Sequence, residues 1–109
     1  MILGSQHNAP VWASRDSVRR ARESVLWQDL FQLRSLISQY TVDKQKPPQS
    51  LDDLVKAGYL KQIPVDPMTG KADWDVDVIM DPVRHEPGIS SVRSSSQKVS
   101  GGGTVYYTW

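Results

Sequence analysis

The chain contains no cysteine. Disulfides and thiolate metal centres are thereby excluded, although the absence does not separate a cytosolic protein from a periplasmic one. Histidine is scarce as well: His7 and His85 are the only imidazoles, and neither has a partner at catalytic or metal-ligand spacing. No run of about 18 apolar residues occurs, so the sequence as written holds no membrane-spanning helix, and Met1 to Asn8 lacks the basic and apolar regions of a signal peptide. An excess of one charge is also missing. A net charge of +1, with 23% charged residues, gives no electrostatic case for a nucleic-acid partner. Acid is absent from one whole region, since no Asp or Glu follows Glu86.

What is present fits one small domain. At 109 residues and 39% hydrophobic content, the chain supports a single core of modest size. Arg15 to Tyr40 contains neither Gly nor Pro, and Val18, Ala21, Val25, Leu26, Leu30, Leu33, Ile37 and Tyr40 recur at three- and four-residue steps. That spacing predicts a long helix with one apolar face, capped by Ser14 or Ser17 and closed between Tyr40 and Lys44 ahead of Pro47-Pro48. Trp27, Phe31 and Leu36 lie beside or outside the stripe, either as core of the domain or as a patch for a neighbour. Ser50 with Asp53 reads as a capping box before a short helix on Leu51, Leu54 and Val55, stopped by Gly58 in a left-handed conformation.

Pro64-Val-Asp-Pro67 then imposes an extended path and a turn that ends at Thr69-Gly70. Trp74, Val76, Val78 and Met80 alternate with Asp73, Asp75, Asp77 and Ile79, the pattern of a half-buried strand. Its aspartates stand about 7 Å apart on the outer face and read as solvated. Asp81-Pro82 and Pro87-Gly88 bracket turns, Ile89 and Val92 mark a second short strand, and Thr104 to Trp109 has the composition of a terminal strand after Gly101-Gly-Gly103. Helices precede strands without alternating with them, so the expected class is α+β: a long N-terminal helix, a short second helix and a small C-terminal antiparallel sheet.

Catalytic constellations are weak. His85 beside Asp81 and Glu86 lacks further metal ligands, Ser94 to Ser96 lacks the glycine-flanked elbow of serine hydrolases, and no lysine or helix pattern follows the glycine run. The expectation is a protein that is not an enzyme. One basic cluster exists, Arg15, Arg19, Arg20 and Arg22, diluted by Asp16 and Glu23. It reads as a solvated helix face or as a contact surface.

The order Arg20-Ala-Arg-Glu23, Ile37-Ser-Gln-Tyr-Thr-Val-Asp-Lys44, Pro48-Gln-Ser-Leu-Asp-Asp-Leu54, Gly58-Tyr-Leu60 and Ile63-Pro-Val-Asp-Pro-Met-Thr-Gly70 resembles the pilin-like proteins, above all the major (G-type) pseudopilins of the type II secretion system. With Asp29-Leu30 and Leu33-Arg34, the matching segments cover roughly half of the chain. The resemblance implies a pilin-like fold and a structural subunit of the pseudopilus, a filament that helps push folded substrates through an outer-membrane secretin. It also implies an apolar segment ahead of Ala9-Pro10, cut by a prepilin peptidase and methylated. On that reading Met1 to Asn8 is a vector-derived stretch in place of a native one, and residues 9–109 are the head domain.

The implied partners are other copies of the chain, other pseudopilins, an inner-membrane assembly platform and the membrane itself. The implied location is the inner membrane with a periplasmic head, or a filament across the periplasm. The arginines Arg15, Arg19, Arg20 and Arg22 would meet lipid head groups or an acidic neighbour, and Trp27 and Phe31 would serve subunit contacts. An alternative within the same resemblance is a type IV or minor pilin for adhesion, motility or DNA uptake, against which the missing disulfide pair argues. The family's calcium loop, in the C-terminal sheet, would fall where this chain has no acid, so no calcium or other cofactor is expected.

Overall fold

The computed structural model describes the backbone of residues 11–109 and the side chains of residues 14–109. The expected replaced segment Met1 to Asn8, with His7 and Ala9-Pro10, lies outside the described residues, as does the Trp12 side chain. Helix α1, Val11–Lys44, is 34 residues long. At a rise of about 1.5 Å per residue it measures roughly 50 Å. It runs straight through Ser14 and Ser17, so neither caps its start, contrary to expectation. At its other end the Thr41 hydroxyl donates to the Ile37 carbonyl at 2.8 Å. Gln45 adopts a left-handed φ of 57° and its side-chain amide donates to the Val42 carbonyl at 2.9 Å. The left-handed turn ends the helix before the prolines remove further donors.

Only part of the apolar stripe is used by the core. Leu26, Leu30, Leu33, Ile37 and Tyr40 are buried, whereas Val18, Ala21 and Val25 are exposed. Leu36 packs against the edge of the core. The core therefore grips α1 from Leu26 onward, and the turns before Leu26 meet the C-terminal segment through Glu23, which binds Gly101 and Tyr106.

Helix α2, Asp52–Lys56, is a single tight turn with Leu54 buried. The expected Ser50 hydroxyl cap does not form; the Asp53 carboxylate instead accepts the Gln49 amide at 2.8 Å. Gly58 stops the helix at φ 84°. The Tyr59 amide donates to the Leu54 carbonyl at 2.8 Å and the Gly58 amide to that of Val55 at 3.0 Å, a Schellman pair that only a residue at ease with positive φ completes without strain. The Tyr59 ring then meets Tyr40 at 5.7 Å, locking α2 against α1.

Strands β1, Asp75–Met80, and β2, Pro87–Arg93, form a two-stranded antiparallel sheet. β2 lies against α1 and buries Ile89 and Val92. Gly88 sits so close to Pro47 that a Cβ would lie 2.3 Å from the proline Cγ, and the neighbouring Ile89 amide donates to the Pro48 carbonyl at 2.8 Å. The prolines that follow the end of α1 thus seat β2.

Two sequence expectations fail in the C-terminal half. β1 is not half-buried: Trp74, just before it, is buried, but Val76, Val78, Ile79 and Met80 are all exposed. β2 takes the place against α1, which leaves β1 on the outside, and a register shift between Asp77 and Val78 breaks the alternation. Thr104 to Trp109 is not a strand either. After a lone bridge of Val99 with Val105, the chain closes into a 3-10 turn, Tyr106–Thr108, with the Tyr106 ring buried. The aromatic content of this segment serves packing on α1, where the Tyr106 and Trp109 rings meet edge to face at 5.2 Å.

Candidate interaction surface

The arginine cluster is divided by its neighbours on the helix. Asp16 binds both Arg19 and Arg20, the latter at 2.9 Å, and Arg19 also lies 3.8 Å from Glu23. Arg15 and Arg22 form no ion pair among the described residues. They line, with Arg19, one wall of a groove of about 490 Å³ whose other wall carries Lys98, Val99 and Tyr106. The structure thus brings Arg15, Arg19 and Arg22 together on a groove and leaves Arg20 off it. A cation contributed by the C-terminal segment, Lys98, joins them, and no local spacing in the sequence announces it.

The groove is held in shape by Glu23. Its carboxylate accepts the Tyr106 hydroxyl at 2.6 Å and the Gly101 amide at 3.0 Å, tying the C-terminal loop to α1. These two bonds, the hydroxyl's foremost, hold the Glu23 carboxyl below its usual pKa. Burial first, and then the bond to Glu23, push the Tyr106 phenol up to about 12. The segment Arg20-Ala-Arg-Glu23 therefore includes a structural anchor.

Trp27 and Phe31, one turn apart on α1, are 63% and 68% exposed. The structure settles their reading: they are surface, not core. Trp27 borders a second hollow of about 220 Å³ with Leu30, Arg34 and Trp109. Arg34 fixes that hollow's floor. Its guanidinium donates to the Val92 carbonyl at 3.0 Å and to the main-chain oxygen of Trp109 at 3.2 Å, so one helix side chain holds both β2 and the C-terminal turn. Burial depresses its pKa, with Arg93 nearby adding to the effect.

Asp66, within the Pro-Val-Asp-Pro turn, is fully buried, and sequence reasoning missed its role. One carboxylate oxygen accepts the Met68 amide at 2.8 Å and the other the Ser94 hydroxyl at 2.6 Å. The loop beyond β2 continues the pattern: the Ser96 amide donates to the Ser94 hydroxyl at 3.2 Å and the Lys98 amide to that of Ser96 at 3.2 Å. The serines that looked like a polar loop form a hydroxyl ladder rooted on one carboxylate. Asp29 on α1 faces this region, and burial, followed by repulsion from Asp66, raises its pKa.

The donor set of this loop is a poor match for calcium. Asp66 is buried beneath it with N–H and O–H donors on both its oxygens, and Asp73, which also reaches it at Ser95, already accepts the Thr69 hydroxyl, whereas a calcium ion needs six to eight oxygens facing inward. His85 stands exposed in the β1–β2 turn at φ 57°. The acids beside it are engaged: Asp81 accepts the Val83 amide at 2.9 Å and pairs with Arg84 at 3.3 Å, and Glu86 accepts the Gln49 side-chain amide at 2.7 Å. Among the described residues no group of three or more metal-ligating side chains converges, and no helix is long and apolar enough to cross a membrane. No family model, curated protein or solved structure matches the chain.

Proposed function

We propose that this chain is the head of a structural subunit of a pilin-like filament, and specifically of the pseudopilus of a type II secretion system. The observation that carries the reading is the uneven burial of α1: one face of it forms the core through Leu26, Leu30, Leu33 and Ile37, while Val18 and Val25 stand bare and Trp27 and Phe31 project to solvent from the flank of the same turns. A lone head gains nothing from an exposed apolar shaft, which costs solubility; a subunit whose shafts pack together hides it. The resemblance of Ile37 to Lys44, Gly58 to Leu60 and Ile63 to Gly70, in that order, to the pseudopilin pattern supports the same reading.

In this role the work is mechanical. An apolar segment ahead of Ala9 holds the subunit in the inner membrane before assembly, the head faces the periplasm, and an assembly platform adds subunits to the growing filament. No group in the head performs chemistry and no cofactor is needed.

Mass spectrometry of the mature N-terminus, on protein from its source cells, tests this. A methylated residue opening an apolar stretch upstream of Ala9 is expected. A mature chain that starts at Met1 as written would contradict pilin-type processing.

A further inference from the structure

The groove beside Arg15 and Arg22 has a counterpart elsewhere on the same molecule. Its walls combine apolar stems, Val18 and Val99, with the cations Arg15, Arg22 and Lys98, which have no ion-pair partner among the described residues. β1 is the reverse. It exposes Val76 and Val78 on one face and, alternating with them along the strand, Asp75, which stands across from Arg93 and forms no ion pair among the described residues; Asp73, just ahead of the strand, accepts the Thr69 hydroxyl at 2.6 Å. β1 pairs with β2 on one side alone, so its outer edge carries unpaired backbone groups.

We infer that the acidic outer edge of β1 in one copy of the chain docks in the basic groove between α1 and Val99 of the next copy. Charge and apolar surface match in this cross arrangement, while either symmetric arrangement fails: edge against edge sets Asp73 and Asp75 against their own images, and groove against groove does the same with Arg15 and Arg22. Like charges set face to face repel and so exclude the symmetric pairings. A contact between two different patches does not close on itself. Repeated with a constant rotation, it yields an open helical assembly. The inference rests on the filament reading and gives that filament a head-to-tail contact between neighbouring head domains.

The cysteine-free sequence makes the test direct, because any thiol introduced is the only one. Val18→Cys and Val76→Cys variants of this chain, both at exposed positions, are mixed under mild oxidation at low salt after circular dichroism has confirmed that each is folded. The mixed 18–76 dimer is expected in about tenfold excess over each like-with-like dimer, and the excess should vanish near 1 M salt, where screening shortens the electrostatic reach to about 3 Å. Adding Asp73→Lys and Asp75→Lys to the Val76→Cys chain should abolish the excess, and Arg15→Glu with Arg22→Glu in its partner should restore it.

Statistical pairing, a predominance of 18–18 or 76–76, or a loss that the compensating reversal does not restore would overturn the contact. Each failure is separable from failure of the filament reading. A pilin-type mature N-terminus with no preferred 18–76 product discards this contact and keeps the filament; the converse keeps a head-to-tail contact and discards the pseudopilus.

Discussion

Replacing Asp66 by Ala is expected to remove about 3 to 5 kcal/mol of stability, enough to leave a domain of this size largely unfolded at 37 °C. The carboxylate is fully buried and satisfies the Ser94 hydroxyl and the Met68 amide, and its own main-chain groups exchange hydrogen bonds with Lys71 and Gly70. Alanine strands two buried donors, and the cost of an unmade bond exceeds the net worth of a made one. The Ser94–Ser96–Lys98 ladder loses its root at the same time, so the loop that walls the groove should loosen before the core does. Asp66→Asn keeps one acceptor oxygen and should recover part of the loss. Urea unfolding of the three chains side by side checks the order wild type, Asn, Ala; an alanine variant as stable as wild type would remove Asp66 from its place at the base of the loop.

Glu23→Ala is the second large effect, about 2 to 3 kcal/mol, because it takes a charged acceptor from both the Tyr106 hydroxyl and the Gly101 amide. The pH dependence follows from the directions of the two shifts. Glu23 has a folded-state pKa below its unfolded one, so its contribution is fully present above the unfolded value near 4.3 and is lost as pH falls through the lower, folded value. Tyr106 behaves in the opposite sense at the alkaline end. Its folded pKa of about 12 exceeds the ordinary value near 10, so above pH 10 the unfolded chain ionises first and stability declines up to about pH 12. Thermal melts across both windows should show wild type losing stability at each end, while Glu23→Ala should be flatter at the acid end and only partly flattened at the alkaline end, where burial still holds the Tyr106 phenol up. Parallel curves for the two chains would contradict the anchor.

The long helix was legible because the 26 residues from Arg15 to Tyr40, without Gly or Pro and at one apolar spacing, admit few alternatives. Gly58 and the proline pair were legible for the same local reason. The buried half of α1 could not be told from its bare half, since Val18 and Leu26 sit on one stripe and only the length of the head decides which is covered. β1 misled because alternation reports a strand with two unlike faces but cannot reveal that its neighbour would take the place against the helix. The terminal segment misled in another way: aromatic and β-branched residues there answer a packing demand from α1, and one Tyr hydroxyl on Glu23 draws the chain into a 3-10 turn. Asp66 was hidden because its partner Ser94 lies 28 residues downstream, among serines with no pattern of their own.

The groove was half legible. Four arginines on a helix are visible in the sequence; the Asp16 side chain that neutralises two of them and the Lys98 that joins the others are consequences of folding. The same holds for Trp27 and Phe31, whose exposure on the flank of α1 gives the filament reading its physical basis.

The central claim is that the bare face of α1 is an assembly surface, and the most direct measurement is filament formation in the source cells by the full-length protein carrying Trp27→Glu and Phe31→Glu together. Both side chains are more than half exposed, so the substitutions should leave the isolated head as stable as wild type to within about 0.5 kcal/mol. The account predicts a folded subunit that forms no filament visible by electron microscopy, because two carboxylates then face the apolar flank of a neighbour. Filaments in normal number and length from the same variant would contradict it.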